Sequence, residues 1–245
     1  MSYISVITIV KNGMPHLKSC IQSINLQKEK NIEHLIVYSK STDDTLAYLK
    51  LQKKKFIIDN YSNNKFGSLN LGIKKSTGKY VGILHADDLF YSKKTISNII
   101  KILKKNKPDV LFGNILYVSR NNPSKIIRKW ISSDYKKDKI LSGWMPAHPT
   151  LFIKREILLK NLYSEKFPIS GDYDFIIRLF KKNLITYFHN FYITKMRYGG
   201  DSNKSLTNIL KKMMEDYIIL KKNKINFPII KLFLKNITKL KQFFI

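Results

Sequence analysis

The chain is 245 residues long, with 45 Lys and Arg against 17 Asp and Glu and so a formal net charge of +28. A hydrophobic fraction of 44% with 12% aromatic residues supplies a real core, which excludes wholesale disorder, and the length allows one large domain or two small ones. One cysteine, Cys20, excludes internal disulfides and a cysteine-built zinc site, and no apolar run approaches the about 18–20 uncharged residues of a membrane-spanning helix.

The N-terminus lacks the basic region and small-residue cleavage site of a secretory signal, and residues 4–10 read as an apolar strand. A soluble or peripheral protein in the cytoplasm is the expectation. Pro15 fits the first turn of a helix carrying Leu17, Cys20, Ile21 and Ile24 at helical spacing. A strand follows over 32–38, and Ser41-Thr42-Asp43 offers N-caps for a helix over 44–52. Residues 56–58 form a short strand, 68–75 a short helix, and 79–84 a strand ending at His85-Ala86-Asp87-Asp88. The next helix covers 93–105 and stops near Pro108. Such strand–helix alternation predicts a mainly parallel sheet with ligands at the carboxyl ends of its strands, where Asn12, Tyr38 and Asp87-Asp88 fall.

Beyond Asp109 the pattern changes. Residues 110–118 and 126–131 are strand-like, and 143–149 is a Gly- and Pro-rich loop. A short strand at 151–153 and a helix over 172–182 follow. The tail from about 205 reads as two helices broken near Asn226-Phe227-Pro228. No carboxylate occurs after Asp216, whereas seven lysines do. In the last helix Ile230, Phe233, Leu234, Ile237 and Phe244 share a face, with Lys231, Lys235 and Lys239 on another. Two readings fit that pattern: a helix in the interface of an anionic bilayer, or a terminal helix docked on its own domain.

Asp87-Asp88 is the sharpest chemical feature. Adjacent carboxylates at a strand end repel unless a cation or a donor is nearby. Mg²⁺ or Mn²⁺ takes such oxygens and shares its remaining positions with phosphate oxygens. An ordinary helix N-cap, with Asp88 or Ser92 satisfying free amides, accounts for the same residues. The charge excess suits an anionic membrane surface, a phosphorylated substrate or nucleic acid, and over-use of Lys, Ile and Asn explains it equally well. Basic residues spread along the whole chain, without a reading motif, point away from specific nucleic-acid binding.

Several blocks occur together in order. Ser5-Val6-Ile7-Thr8-Ile9-Val10-Lys11-Asn12-Gly13 is followed by Ile32-Glu33-His34-Leu35-Ile36-Val37 and Ser41-Thr42-Asp43-Asp44-Thr45. Then come Asn70-Leu71-Gly72-Ile73, Ser76-Thr77-Gly78-Lys79-Tyr80 and Gly82-Ile83-Leu84-His85-Ala86-Asp87-Asp88. This series, over about residues 2–210, resembles family 2 glycosyltransferases. Trp144-Met145-Pro146-Ala147-His148-Pro149, preceded by Gly143, resembles a branch that builds bacterial surface polysaccharides, as do Gly171-Asp172-Tyr173-Asp174 and Lys195-Met196-Arg197-Tyr198-Gly199-Gly200.

The resemblance implies an α/β GT-A fold: a Rossmann-like mixed sheet flanked by helices over 1–204, with a nucleotide-sugar half (1–106), an acceptor half (107–204) and a basic helical extension (205–245). It implies a nucleotide-diphospho-sugar donor, a glycan or lipid-linked acceptor and a divalent Mg or Mn ion. Asp88 would hold the metal with Asp87 beside it, and Asp172 would be the base, although a helix N-cap explains Asp172 as well. Thr8, Asn12, Tyr38 and Asn70 would contact the donor. His148, Arg178 and Trp144 are further candidates for acceptor or diphosphate, each with a structural alternative: a hydrogen bond, a solvated arginine, a core tryptophan. The family usually has an Asp, which grips the nucleobase, at the position of Tyr38; a tyrosine ring offers stacking but no charged acceptor. The segment Ser62-Asn63-Asn64-Lys65-Phe66-Gly67-Ser68 also departs from the branch pattern. Those departures keep a non-catalytic scaffold open as the alternative.

Overall fold

Strand β1 (Ile4–Val10) is the axis of the molecule, with every residue but Ile9 buried. It is paired in parallel on both edges, and a strand covered on both faces reads as a continuous apolar run rather than an alternating one. The structure is a computed structural model that describes residues 2–29, 31–52, 56–60, 62, 64–135, 144–199 and 206–232. Asn63, Gly143, Gly200, the boundary at 204/205 and the tail positions Phe233, Leu234, Lys235, Ile237, Lys239 and Phe244 lie outside the described residues.

In chain order, β1 is followed by α1 (His16–Asn25), β2 (Ile32–Ser39), α2 (Thr45–Leu51), β3 (Phe56–Asp59), α3 (Lys65–Lys75) and β4 (Tyr80–Ile83). Next come β5 (Leu89–Phe90), α4 (Thr95–Asn106), β6 (Val110–Val118) and β7 (Ile126–Trp130). A 3₁₀ turn (His148–Thr150) then leads into β8 (Phe152–Lys154) and α5 (Arg155–Leu159). The described chain closes with α6 (Gly171–Phe180), β9 (Thr186–Arg197) and α7 (Leu206–Lys222). The chain breaks after α7 around Asn226–Phe227, where a second tail helix is expected, and is helical again at 228–232.

One sheet runs in the order β3-β2-β1-β4-β8-β6-β9-β5, with β7 on β6. Its first four strands are parallel, as the alternation predicts. The second half is mixed: β8 is antiparallel to both β4 and β6, β6 and β9 are parallel, and β5 and β7 are antiparallel edges. The sheet passes without a break from residues before 106 to those after it. Successive side chains leave a strand on opposite faces. Ile7, Val81 and Ile83 therefore meet α3 and α6 on one side, while Ile4, Val6 and Tyr80 meet α1 and α4 on the other.

The helices follow their apolar periods. Leu17, Cys20, Ile21 and Ile24 line the inner face of α1, and Ile96, Ile99, Ile100 and Leu103 that of α4. Lys107, left-handed at φ 47°, ends α4 just before Pro108. Short β5 and α5 are not anticipated from the sequence, and two further elements depart from its reading. Helix α3 starts at Lys65 rather than 68, because the Asn64 side chain accepts from the Phe66 amide at 2.9 Å and caps it. Strand β9 has no clear apolar signature, since His189, Asn190 and Lys195 interrupt it; pairing with the wholly buried β6 holds it in place.

Gly72 brings α3 down onto β1, since a Cβ there would lie 2.7 Å from Ile7 Cγ2. Alanine gains about 1 kcal/mol of helix propensity, but overpacking of a filled core costs about 1–3 kcal/mol. Gly72→Ala is therefore expected to lower stability by roughly 1 kcal/mol net, read as a reduced urea midpoint.

Candidate active site

A cleft of about 1060 Å³ opens at the carboxyl ends of the parallel strands. Its first wall is the loop after β1, held by the loop after β2. The Asn12 amide donates to Ser41 Oγ (3.0 Å), the Gly13 amide to Thr45 Oγ1 (2.9 Å) and the Met14 amide to Asp43 Oδ2 (2.9 Å). Asn12 itself is left-handed (φ 51°), a conformation asparagine tolerates, and its Oδ1 accepts from the Thr42 amide at 2.8 Å. The Ser41–Thr45 block thus satisfies the backbone of its neighbour loop.

The floor is the turn after β4, closed by the Asp88 amide donating to the His85 carbonyl at 2.9 Å. Asp87 lines the cleft and lies 3.4 Å from Arg120, both partly exposed. Asp88 sits directly behind it, 1% exposed. Its Oδ1 accepts from the Arg197 amide at 3.2 Å, whereas its buried Oδ2 has no hydrogen-bond partner. Burial first, and then the charge of Asp87, push the Asp88 carboxyl well above the usual carboxylate range. Arg197, at the end of β9, ties this corner together. Its guanidinium donates to the Asp87 carbonyl, to the Arg120 carbonyl (3.0 Å) and to Ser19 Oγ (3.0 Å).

The opposite wall is the first turn of α6. Asp172 lines the cleft there, and its Oδ1 accepts from the Tyr173 amide at 2.8 Å. Two features seat that turn. Gly171 lets it lie against the Phe66 ring, which a Cβ would approach to 2.5 Å. Glu215 of α7 accepts from the Ile169 and Ser170 amides at 3.1 and 2.7 Å, capping the helix from outside.

Between the walls stand His85 and His148, ring centroids 6.2 Å apart, with His148 Nε2 2.7 Å from the Tyr163 hydroxyl. Burial drives the His148 pKa down to about 4 against the opposing pull of Asp172, so the ring is neutral at pH 7. The His85 pKa is lowered by burial too, opposed by both Asp87 and Asp172. The Tyr117 hydroxyl, on the cleft, is raised by burial and further by both Asp88 and Asp172. The Asp87-Asp88 pair and Asp172 therefore act on the same side chains across one cavity.

The cleft gathers Asn12, Asp87, His148 and Asp172, with Asp88 immediately behind, and the other expected site residues do not line it. Thr8 is fully buried, 3.0 Å from His34 Nε2. Tyr38 is buried edge-on to Phe56, with its hydroxyl accepting from the Ser41 amide at 3.1 Å. Asn70 clips the backbone of Tyr163 through two bonds of 2.9 and 2.8 Å. Arg178 pairs with buried Asp174 at 2.7 Å, and Trp144 packs among Phe112, Tyr135 and Phe180 while donating to Ser133. Arg120, Arg128, Tyr117 and Arg197 line the cleft without having been singled out from sequence. Only Arg197 carried a signal, within Lys195-Met196-Arg197-Tyr198.

Asp88 Oδ2 and Asp87 suit a hard divalent cation. No cluster of three His, Cys, Asp or Glu able to hold a metal occurs among the described residues. An ion here would complete its shell with ligand oxygens from elsewhere, as Mg²⁺ does with phosphates.

This mixed sheet with its strand-end cleft is the GT-A architecture. The S. aureus TarS 1–349 structure in complex with UDP-GlcNAc matches 92% of this chain and 67% of its own with a TM-score of 0.70 at 16% identity. Mannosyltransferase PcManGT from Pyrobaculum calidifontis, in complex with GDP-Man and Mn²⁺, matches 95% and 69% with a TM-score of 0.66 at 14% identity. The family model for glycosyl transferase family 2 matches residues 5–183, and the chain belongs to that family. An uncharacterized glycosyltransferase of Methanocaldococcus jannaschii is 29% identical over 226 residues, covering 86% of this chain and 77% of that protein. One from Rickettsia felis is 30% identical over 82% of this chain, which spans only about a third (34%) of it.

An unfolded histidine titrates near 6.5, whereas folded His148 titrates near 4. Its contribution to stability is complete above about pH 6.5 and is lost as pH falls toward 4. Between pH 7 and pH 5 the protein is expected to lose on the order of 1–2 kcal/mol through this group. Denaturant melts of His148→Asn should show a correspondingly shallower loss.

Proposed function

We propose that this chain is an inverting, metal-dependent glycosyltransferase. It moves a hexosyl or N-acetylhexosaminyl group from a nucleotide-diphospho-sugar to an acceptor hydroxyl in the synthesis of a bacterial surface glycan such as O-antigen, capsule or lipooligosaccharide. It works in the cytoplasm at the inner face of the membrane, where such a glycan is carried on lipid. The observation that carries the reading is the partnerless buried oxygen of Asp88, set behind Asp87 on the cleft that Asp172 also lines.

Asp88 and Asp87 would hold the ion, with Arg197 fixing the Asp87 carbonyl through its guanidinium and the Asp88 carboxylate through its backbone amide. When bound, the ion supplies positive charge against the charge that grows on the departing nucleoside diphosphate. Asp172 takes the proton of the acceptor hydroxyl as that oxygen attacks the anomeric carbon from the face opposite the leaving group. The new glycosidic bond forms while the bond to the diphosphate breaks, which inverts the centre. Neutral His148 and His85 offer hydrogen bonds without a competing positive charge. Donors that bind TarS (UDP-GlcNAc) and PcManGT (GDP-Man) define the first panel to try.

Asp172→Asn is expected to cut transfer by about 10²–10⁴-fold with nucleotide-sugar affinity retained. Asp88→Asn should abolish the Mn²⁺-dependent thermal shift produced by a UDP- or GDP-sugar. Full turnover in Asp88→Asn removes the metal role, and binding of no nucleotide sugar by the wild type favours the scaffold alternative.

A further inference from the structure

Helix α7 has two distinct faces. One is packed inward through Ile219 and Leu220. Nearer the N-terminus the same face lines the cleft with Ile209, Lys212 and Met213. The other carries Leu210, Met214 and Ile218 at i, i+4 and i+8, which are 61%, 65% and 49% exposed. Residues stacked one turn apart on a helix form a stripe rather than scattered surface apolar groups. Phe227, Ile229 and Ile230 extend the apolar surface of this segment, 70%, 72% and 54% exposed.

The charges around that stripe have one sign. Residues 206–232 contain six lysines and two carboxylates. Glu215 is committed to the Ile169 and Ser170 amides, and Asp216 is buried. Lys211, Lys221, Lys222 and Lys224 are exposed. A second copy of this chain would bring the same lysines and a like charge of +28 against the patch, which opposes self-association. An anionic lipid surface matches both features, because it accepts the apolar side chains into its interface and pairs with the lysine rim.

We propose that the Leu210–Met214–Ile218 face of α7, continued by Phe227, Ile229 and Ile230, docks this protein on an anionic lipid surface. The same helix walls the cleft. An acceptor whose lipid lies in that surface therefore reaches the cleft across the width of one helix, about 10 Å. The assignment of an acceptor rests on the transferase reading of the cleft, while the docking itself does not.

The test uses the full chain and vesicles of phosphatidylcholine, alone or mixed with phosphatidylglycerol, without any sugar nucleotide. Failure of the transferase reading leaves this readout standing. The wild type is expected to sediment with the mixed vesicles and not with phosphatidylcholine alone. The triple variant Leu210→Ser, Met214→Ser, Ile218→Ser keeps the net charge, and all three positions are solvent-exposed and outside the cleft lining. It should bind the mixed vesicles at least about tenfold more weakly with unchanged circular dichroism. A second triple variant, Phe227→Ser, Ile229→Ser, Ile230→Ser, should weaken binding in the same direction. Undiminished binding of both variants reduces the effect to lysine charge and overturns the proposal. It is also overturned if the wild type ignores the mixed vesicles, or forms a dimer in sedimentation velocity that the first variant abolishes.

Discussion

A carboxylate oxygen that is buried without a donor costs free energy that its surroundings must offset. Asp88 is in that position: one oxygen accepts an amide from β9, and the other points at nothing that can donate. The rest of the site is organised around this residue. Arg197 does not pair with the carboxylate through its guanidinium. It spends those donors on the carbonyls of Asp87 and Arg120 and on Ser19, so four separate segments are held at one corner while the Asp88 oxygen stays open.

The facing wall is built by a different kind of contact. Asp172 stands where it does because the turn beneath it can approach Phe66, which only glycine at 171 permits, and because Glu215 reaches over from α7 to satisfy the exposed amides of that turn. Asn70 adds a third support by clasping the backbone of Tyr163, whose hydroxyl in turn meets His148. These residues act on the cleft through others. Gly171 and Asn70 are buried and do not line it, although Gly171 stands in the same block as Asp172.

Helix α7 joins chemistry to surroundings. A single helix caps α6, lines the cleft and exposes an apolar stripe with lysines beside it. Among the described residues no helix is long and apolar enough to cross a membrane. The lipid contact proposed for this helix uses one face of it.

The parallel half of the sheet was legible from the residues themselves, because β1, α1 and α4 carry uninterrupted apolar periods that leave little choice of partner. The short motifs that carry Asp87-Asp88 and Asp172 were legible too, and the fold places Asp87 and Asp172 on one cleft. Strand β9 was not: its residues are only half-buried and its pattern is broken, so its conformation is set by β6 rather than by its own composition. The same reason separates the site residues. Side-chain type made Thr8, Tyr38, Asn70, Arg178 and Trp144 suitable for ligand contact, but packing turned each toward a protein partner. Arg197 became central only when the end of β9 met the turn after β4, a meeting of residues 109 positions apart that local sequence has no means to encode.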